Sequence, residues 1–193
     1  MKKIYFVIKK IGDINPNGDS LPLHILEHCL GKKNKDATFT SIFSYCVLNE
    51  LLNYFNVDIN DLFYSSNGKP LLKEGYVSLS HSNDYVCVSY STIKHGIDIQ
   101  FYSDIKNQDS IFKRYFNYKY SDYLMKDEEN KKDFFYQLWT LKEAIVKKDD
   151  ISLFENLIKE NIYTFNNVFI KEEDRYSFSV ASDEPFEIKE MHF

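Results

Sequence analysis

Apolar and polar positions change period several times along the chain, and each change marks an element. Ile4–Ile11 reads as a strand, followed by turn chemistry over Asp13–Ser20, with Asn15, Pro16, Asn17 and Gly18. An apolar run at helical spacing from Ile42 to Phe55 predicts a buried helix. Gly68–Pro70 reads as a loop. Tyr76–Ser80 and Tyr85–Tyr90 read as two strands joined by the polar turn Ser82-Asn83-Asp84, and His95–Phe101 alternates as another strand. Ile105–Lys148, mixed charged and aromatic, predicts a run of helices, and Ile162–Phe165, Tyr176–Ala181 and Phe186–His192 predict closing strands. Strand, helix and hairpin are thus followed by strand, helices and strands. This is an α+β order used twice with a joint near Lys94, so the expected halves are 1–94 and 95–193.

Composition narrows the class. Of the 193 residues 44% are hydrophobic, with 15 Tyr and 16 Phe, enough to build a folded core. A net charge of −5 argues against nucleic acid as a partner, so any anionic ligand must be held by local basic residues. Cys29, Cys46 and Cys87 form no CxxC pair, and an odd count reads as reduced thiols. Ile4–Ile8 is a short apolar stretch with no small-residue cleavage site after it, so a strand is the better reading than a signal peptide. No run approaches the ~18 apolar residues of a membrane span. The expectation is a soluble, cytoplasmic protein.

The candidate chemistry sits on two elements. In the helix Asp133–Lys148, ~100° per residue puts Phe134, Leu138, Leu141 and Ile145 on one face and Trp139, Glu143 and Lys147 on another arc. A solvated Glu–Lys pair is the plain alternative. In His95–Phe101, alternation separates Ile97 and Ile99 from Asp98 and Gln100. A carboxylate flanked by two isoleucines needs a cation, a metal or strong hydrogen bonds, unless it caps a turn. Ser80 and His81 are strand neighbours pointing to opposite faces, and no Gly-x-Ser-x-Gly elbow exists, so a serine-hydrolase triad is a poor reading. His81 reads equally as a phosphate donor or a structural histidine.

Gly68-Lys69-Pro70, Leu79-Ser80-His81-Ser82, Gly96-Ile97-Asp98-Ile99 and Trp139-x-x-Lys142-Glu143-Ala144-x-x-Lys147, in this order, resemble the motifs of the Sfp-type 4′-phosphopantetheinyl transferases. The resemblance covers roughly Asp36 to Lys148. It implies two similar α+β halves related by a pseudo-twofold, with the active site and coenzyme A in the cleft between them. It implies transfer of 4′-phosphopantetheine from coenzyme A to a serine of an acyl or peptidyl carrier protein, releasing 3′,5′-adenosine bisphosphate. It further implies that Asp98 and Glu143 bind Mg²⁺ (Mn²⁺ as the alternative), that Glu143 is the general base and that Lys147 balances phosphate charge. Lys142, Lys69, Ser80 and His81 would then contact coenzyme A, and a monomer is expected. Where the family usually has a second acid this chain has Gln100, which can offer a carbonyl oxygen to the metal or to a metal-bound water. Phosphate-binding duty near the start would fall to Lys32, Lys33 or Lys35, which also read as solvated surface lysines. The aromatic stretch Phe112, Tyr115, Phe116, Tyr118, Tyr120 and Tyr123 reads as core, with a docking patch for an acidic carrier beside Lys113, Arg114 and Lys119 as the alternative. The competing classes are a family member that binds without turnover and a metal-dependent phosphohydrolase.

Overall fold

In the computed structural model, which describes residues 1–13, 18–116, 119–151, 167–173 and 175–193, the two predicted periodicities generate four packed layers. Strand β1 (Lys2–Lys10) sends Ile4 and Phe6 to one side and Tyr5 and Val7 to the other. After helix α1 (Leu23–Leu30) and helix α2 (Lys35–Tyr54) come the short strands β2 (Leu62–Tyr64) and β3 (Pro70–Leu72), which pair with each other. Strands β4 (Tyr76–Ser82) and β5 (Tyr85–Ser91) form a hairpin closed by Asn83 and Asp84, with Asn83 in the left-handed region that asparagine tolerates. Strand β6 (His95–Phe101) is followed by helices α3 (Gln108–Tyr115), α4 (Tyr120–Leu124) and α5 (Glu128–Asp149), then by strands β7 (Val168–Glu173), β8 (Tyr176–Ser182) and β9 (Phe186–Glu190).

One sheet has the order β4-β5-β1-β9 and the other β6-β8-β7. Helix α2 lays Phe43, Val47, Leu48 and Leu51 on Val86 and Val88 of β5 and Val7 of β1. Between the sheets Ile4, Phe6 and Cys87 meet Ile97, Ile99, Phe178 and Val180. On the far side, α5 covers the outer face of β6 and β8, where Thr140 bonds the hydroxyls of Ser179 at 2.7 Å and Ser177 at 3.1 Å. The α+β class expected from the element order is what is found, with one long helix on each sheet. The division at 94/95 falls where the chain passes between sheets, but the last strand returns. Strand β9 pairs in parallel with β1, so the first sheet contains a strand from the expected second half.

Helix α2 starts earlier than Ile42 because Asn34 caps it, accepting the Ala37 backbone N–H at 2.8 Å. It opens on exposed Lys35 and Asp36, which carry no apolar periodicity. Helix α5 likewise begins at a cap, Asp127 accepting Asn130 N–H, with Glu128 and Glu129 in its first turn and Lys147 and Lys148 in its last, both favourable to the helix dipole. The aromatic stretch is mainly core: Phe112, Phe116 and Tyr123 are buried beneath α5, and Tyr115 and Tyr120 are half-buried. The turn Asn15-Pro16-Asn17, Tyr118 and the strand expected at Ile162–Phe165 lie outside the described residues.

Candidate active site

Strand β6 carries Asp98 to the site through two kinds of contact. Its outward face, Gly96, Asp98 and Gln100, looks onto α5, as alternation predicts. The approach at Gly96 is close: a Cβ added there would lie 2.1 Å from the Ala144 carbonyl oxygen and 2.5 Å from the Lys148 nitrogen. Only glycine lets the strand backbone rest on the helix backbone, a use of strand glycine that sequence reasoning passed over. With that contact made, Asp98, two residues on, faces Glu143 and Lys147.

The second contact runs along the other edge of β6. Strand β8 pairs one edge, and β4 covers the other with serine side chains instead of a backbone ladder. The backbone N–H groups of Ile97, Ile99 and Phe101 donate to the hydroxyls of Ser78 (3.1 Å), Ser80 (3.3 Å) and Ser82 (2.9 Å). The edge is thereby satisfied in a buried setting, where unpaired N–H groups are costly. Ser80 Oγ donates to Asp98 Oδ1 at 2.6 Å, and Ser82 Oγ donates to Gln100 Oε1 at 3.2 Å.

Asp98 is 1% exposed and its Oδ1 also receives Lys147 Nζ at 2.6 Å. Among the described residues its Oδ2 receives no hydrogen bond. Glu143 lies beside it, and burial, reinforced by the Asp98 charge, pushes the Glu143 pKa up to about 8. Lys147 and the neighbouring Trp139 indole pull the other way. Trp139, one turn from Glu143 on the predicted arc, is braced by Phe135 and Tyr115 at ring-centroid distances of 5.7 and 5.8 Å. Two facing carboxylates, one with an orphaned buried oxygen, and a single lysine between them form a site short of positive charge. Hard oxygens of this kind fit a divalent cation that shares its shell with waters and phosphate oxygens. Among the described residues no group of three or more His, Cys, Asp or Glu gathers, here or elsewhere, so a cation at this site would rest on two carboxylates.

Two cavities open around this centre. One, of about 480 Å³, is lined by Asn67, Lys69, Leu79, Glu143, Val146 and Lys147. The other, of about 250 Å³, is lined by His28, Lys32, Tyr45, Ser80 and His81, and Gly68, Pro70 and Leu79 wall both. Lys69 bonds the Lys148 carbonyl at 2.9 Å, and Asn67 bonds that of Asp150 at 2.7 Å, so the loop 65–69 docks on the C-terminal end of α5. Burial lowers the Lys69 pKa. His81 is accessible at one edge; partial desolvation, then Lys147 and Lys32, lower its pKa against the opposing pull of Asp98. Lys33 and Lys35 are exposed beside α2.

Two expected ligand contacts are differently employed. Lys142 is fully buried, donates to the Tyr115 carbonyl at 3.0 Å and lies 5.3 Å from the Phe116 ring centroid, on a different side of α5 from Lys147. The Ser80 hydroxyl is buried between Asp98 and Ile99. Residues 94–184 match the family model described as the 4′-phosphopantetheinyl transferase superfamily, a span holding Asp98, Glu143 and Lys147. The 4′-phosphopantetheinyl transferase Sfp of Bacillus subtilis (strain 168) is 31% identical over 121 residues, 60% of this chain and 53% of that protein. The 4′-phosphopantetheinyl transferase psf-1 of Bacillus pumilus is 36% identical over 86 residues, 42% of this chain and 36% of that protein. The 4′-phosphopantetheinyl transferase HetI of Nostoc sp. is 32% identical over 92 residues, 44% of this chain and 39% of that protein. The chain spans about half the length of the first of these relatives and less of the others.

Proposed function

We propose that this chain, whose residues 94–184 match the 4′-phosphopantetheinyl transferase superfamily model, transfers 4′-phosphopantetheine from coenzyme A to a serine of an acyl or peptidyl carrier protein. The observation that carries this reading is the meeting of Asp98, Glu143 and Lys147 at the edge of a 480 Å³ cleft, from elements far apart in the chain. Phosphoryl-type displacement demands positioning and neutralisation of developing charge more than covalent help, and this cluster supplies both.

In the reaction, Glu143 takes the proton of the carrier serine hydroxyl, a poor nucleophile at neutral pH, as its oxygen attacks the phosphorus bearing the pantetheine arm. Lys147 sits against Asp98 and neutralises the phosphate oxygens at the centre under attack. Lys69, His81 and Lys32 line the cleft and orient the remaining phosphates of coenzyme A, with the apolar Leu79 and Val146 against its uncharged parts. The bond from phosphorus to the bisphosphate breaks, and 3′,5′-adenosine bisphosphate leaves. Asp98 and Glu143, with the Gln100 carbonyl at the margin, would hold Mg²⁺ or Mn²⁺. Bound there, the ion supplies the positive charge that favours ionised Glu143 and screens the pyrophosphate. The reading includes action as a cytoplasmic monomer, one chain supplying both walls of the cleft. Exposed Lys113 and Arg114 suit an acidic carrier.

The test is to mix the protein with coenzyme A, Mg²⁺ and a panel of apo carrier proteins and to follow carrier mass. Gain of the phosphopantetheine mass is expected. Coenzyme A binding without transfer to any carrier identifies a binding protein. Cleavage of coenzyme A with every carrier unmodified identifies a hydrolase.

A further inference from the structure

The Asp98 carboxylate has two oxygens in unlike states. Oδ1 receives two donors from different elements, Ser80 Oγ from β4 and Lys147 Nζ from α5, each at 2.6 Å. Oδ2 is buried and, among the described residues, receives none. A carboxylate clamped through one oxygen cannot turn, so the other keeps a fixed aim. We infer that Ser80 is a positioning residue for Asp98, holding the carboxylate so that Oδ2 stays available to a divalent cation. This rests on the reading of Asp98 as a metal ligand.

The hydroxyl's capacity supports the assignment. A serine has one hydrogen to donate and lone pairs to accept with. Ser80 donates to Asp98 and accepts the Ile99 N–H at 3.3 Å, and it is 6% exposed. It cannot also donate to a coenzyme A phosphate without releasing Asp98, so the phosphate contact expected for it is replaced by a contact to the ligand itself. Partners that orient a metal ligand in this way contribute about 10- to 100-fold to metal affinity. Ser78 provides an internal comparison. It accepts the Ile97 N–H on the same strand at 3.1 Å, in the same ladder, while the hydrogen bonds to the carboxylate come from Ser80 and Lys147.

The experiment is a Mn²⁺ titration read by electron paramagnetic resonance of the free hydrated ion, with and without saturating coenzyme A, alongside urea unfolding. Ser80→Ala is expected to weaken Mn²⁺ about tenfold or more. Ser80→Cys, close in shape but a weak donor, is expected to lose affinity to a smaller degree and keeps the test available if the alanine variant does not fold. Ser80→Thr, which restores the hydroxyl, should recover most of the affinity. Ser78→Ala should lose comparable unfolding stability yet stay within about twofold of wild-type affinity, the small change expected of a residue outside the ligand's own contacts. Wild-type Mn²⁺ affinity in both Ser80→Ala and Ser80→Cys, an equal fall in Ser78→Ala, or no Mn²⁺ binding by the wild type overturns the inference. Carrier modification is a separate readout. A protein that modifies carriers but binds Mn²⁺ independently of Ser80 remains a transferase without this positioning role. One that shows a Ser80-dependent Mn²⁺ site yet modifies no carrier keeps the positioning role and loses the transferase assignment.

Discussion

Gly96 lies so close to Ala144 that a methyl group on the glycine would sit 2.1 Å from the alanine's carbonyl oxygen, well inside any tolerable contact. The atoms in the way are backbone, which cannot swing aside like a side-chain tip. This approach sets the distance from β6 to α5, and hence from Asp98 to Glu143 and Lys147.

Gly96→Ala should therefore cost more than about 3 kcal/mol, at or beyond the top of the usual overpacking range. The expected result is a large fall in the urea midpoint or loss of soluble protein. An alanine variant unfolding within about 1 kcal/mol of wild type would mean that β6 and α5 separate freely, contrary to the packing described.

Glu143→Gln keeps the shape of the side chain and removes its basicity. Carrier modification should fall by about 10²- to 10⁴-fold, the range for loss of a general base, while coenzyme A still binds. Single-turnover transfer and calorimetric titration of coenzyme A measure the two halves of that statement. Substantial retained transfer removes Glu143 from the base role.

Lys147→Met removes the cation against the buried Asp98 carboxylate. Stranding a buried charge costs about 3–5 kcal/mol, so the metal-free variant should be markedly less stable. The cost should shrink when Asp98→Asn is added, because the stranded charge is then gone. A thermodynamic double-mutant cycle reads this coupling, and simple additivity would contradict the contact.

His95 sets an acid limit on stability. It is fully buried, with Nε2 against Ser89 Oγ at 2.8 Å and Nδ1 against the Ile93 carbonyl at 3.0 Å. Burial, helped by the charge of Lys69 and opposed by the Ile93 carbonyl, holds its pKa at about 4, below the ordinary 6.5. Between these values the unfolded chain binds the proton more readily than the folded one. Stability contributed by the neutral ring is complete above pH ~6.5 and is lost as pH falls toward ~4, by about 3 kcal/mol in total. Urea unfolding from pH 7.5 to 4.5 should show this fall, and His95→Gln should flatten it; an unchanged slope would contradict the assignment.

Much of the site was readable before any folding because its periodicities are local. Alternation put Asp98 and Gln100 opposite Ile97 and Ile99, and a turn of ~100° per residue put Trp139, Glu143 and Lys147 on one arc, as found. Residue type then restricted the chemistry to hard oxygens and ammonium groups. Other features left no local trace. Helix α1 has only Ile25 and Cys29 buried, too short a pattern to register. Lys142 and Lys147 are both lysines on one helix, and sequence alone did not separate the one under Phe116 from the one at the carboxylates.

What the sequence determined by itself was which residues share a face, since that follows from backbone geometry over a few residues. Tertiary structure alone decided which faces meet: Gly96 on Ala144, the serines of β4 along the edge of β6, and β9 returning to β1. Those contacts join segments far apart in the chain, and their register is selected by burial of the whole core. The number of hydrogen bonds already made to a given hydroxyl, as at Ser80, is known only once that core has closed.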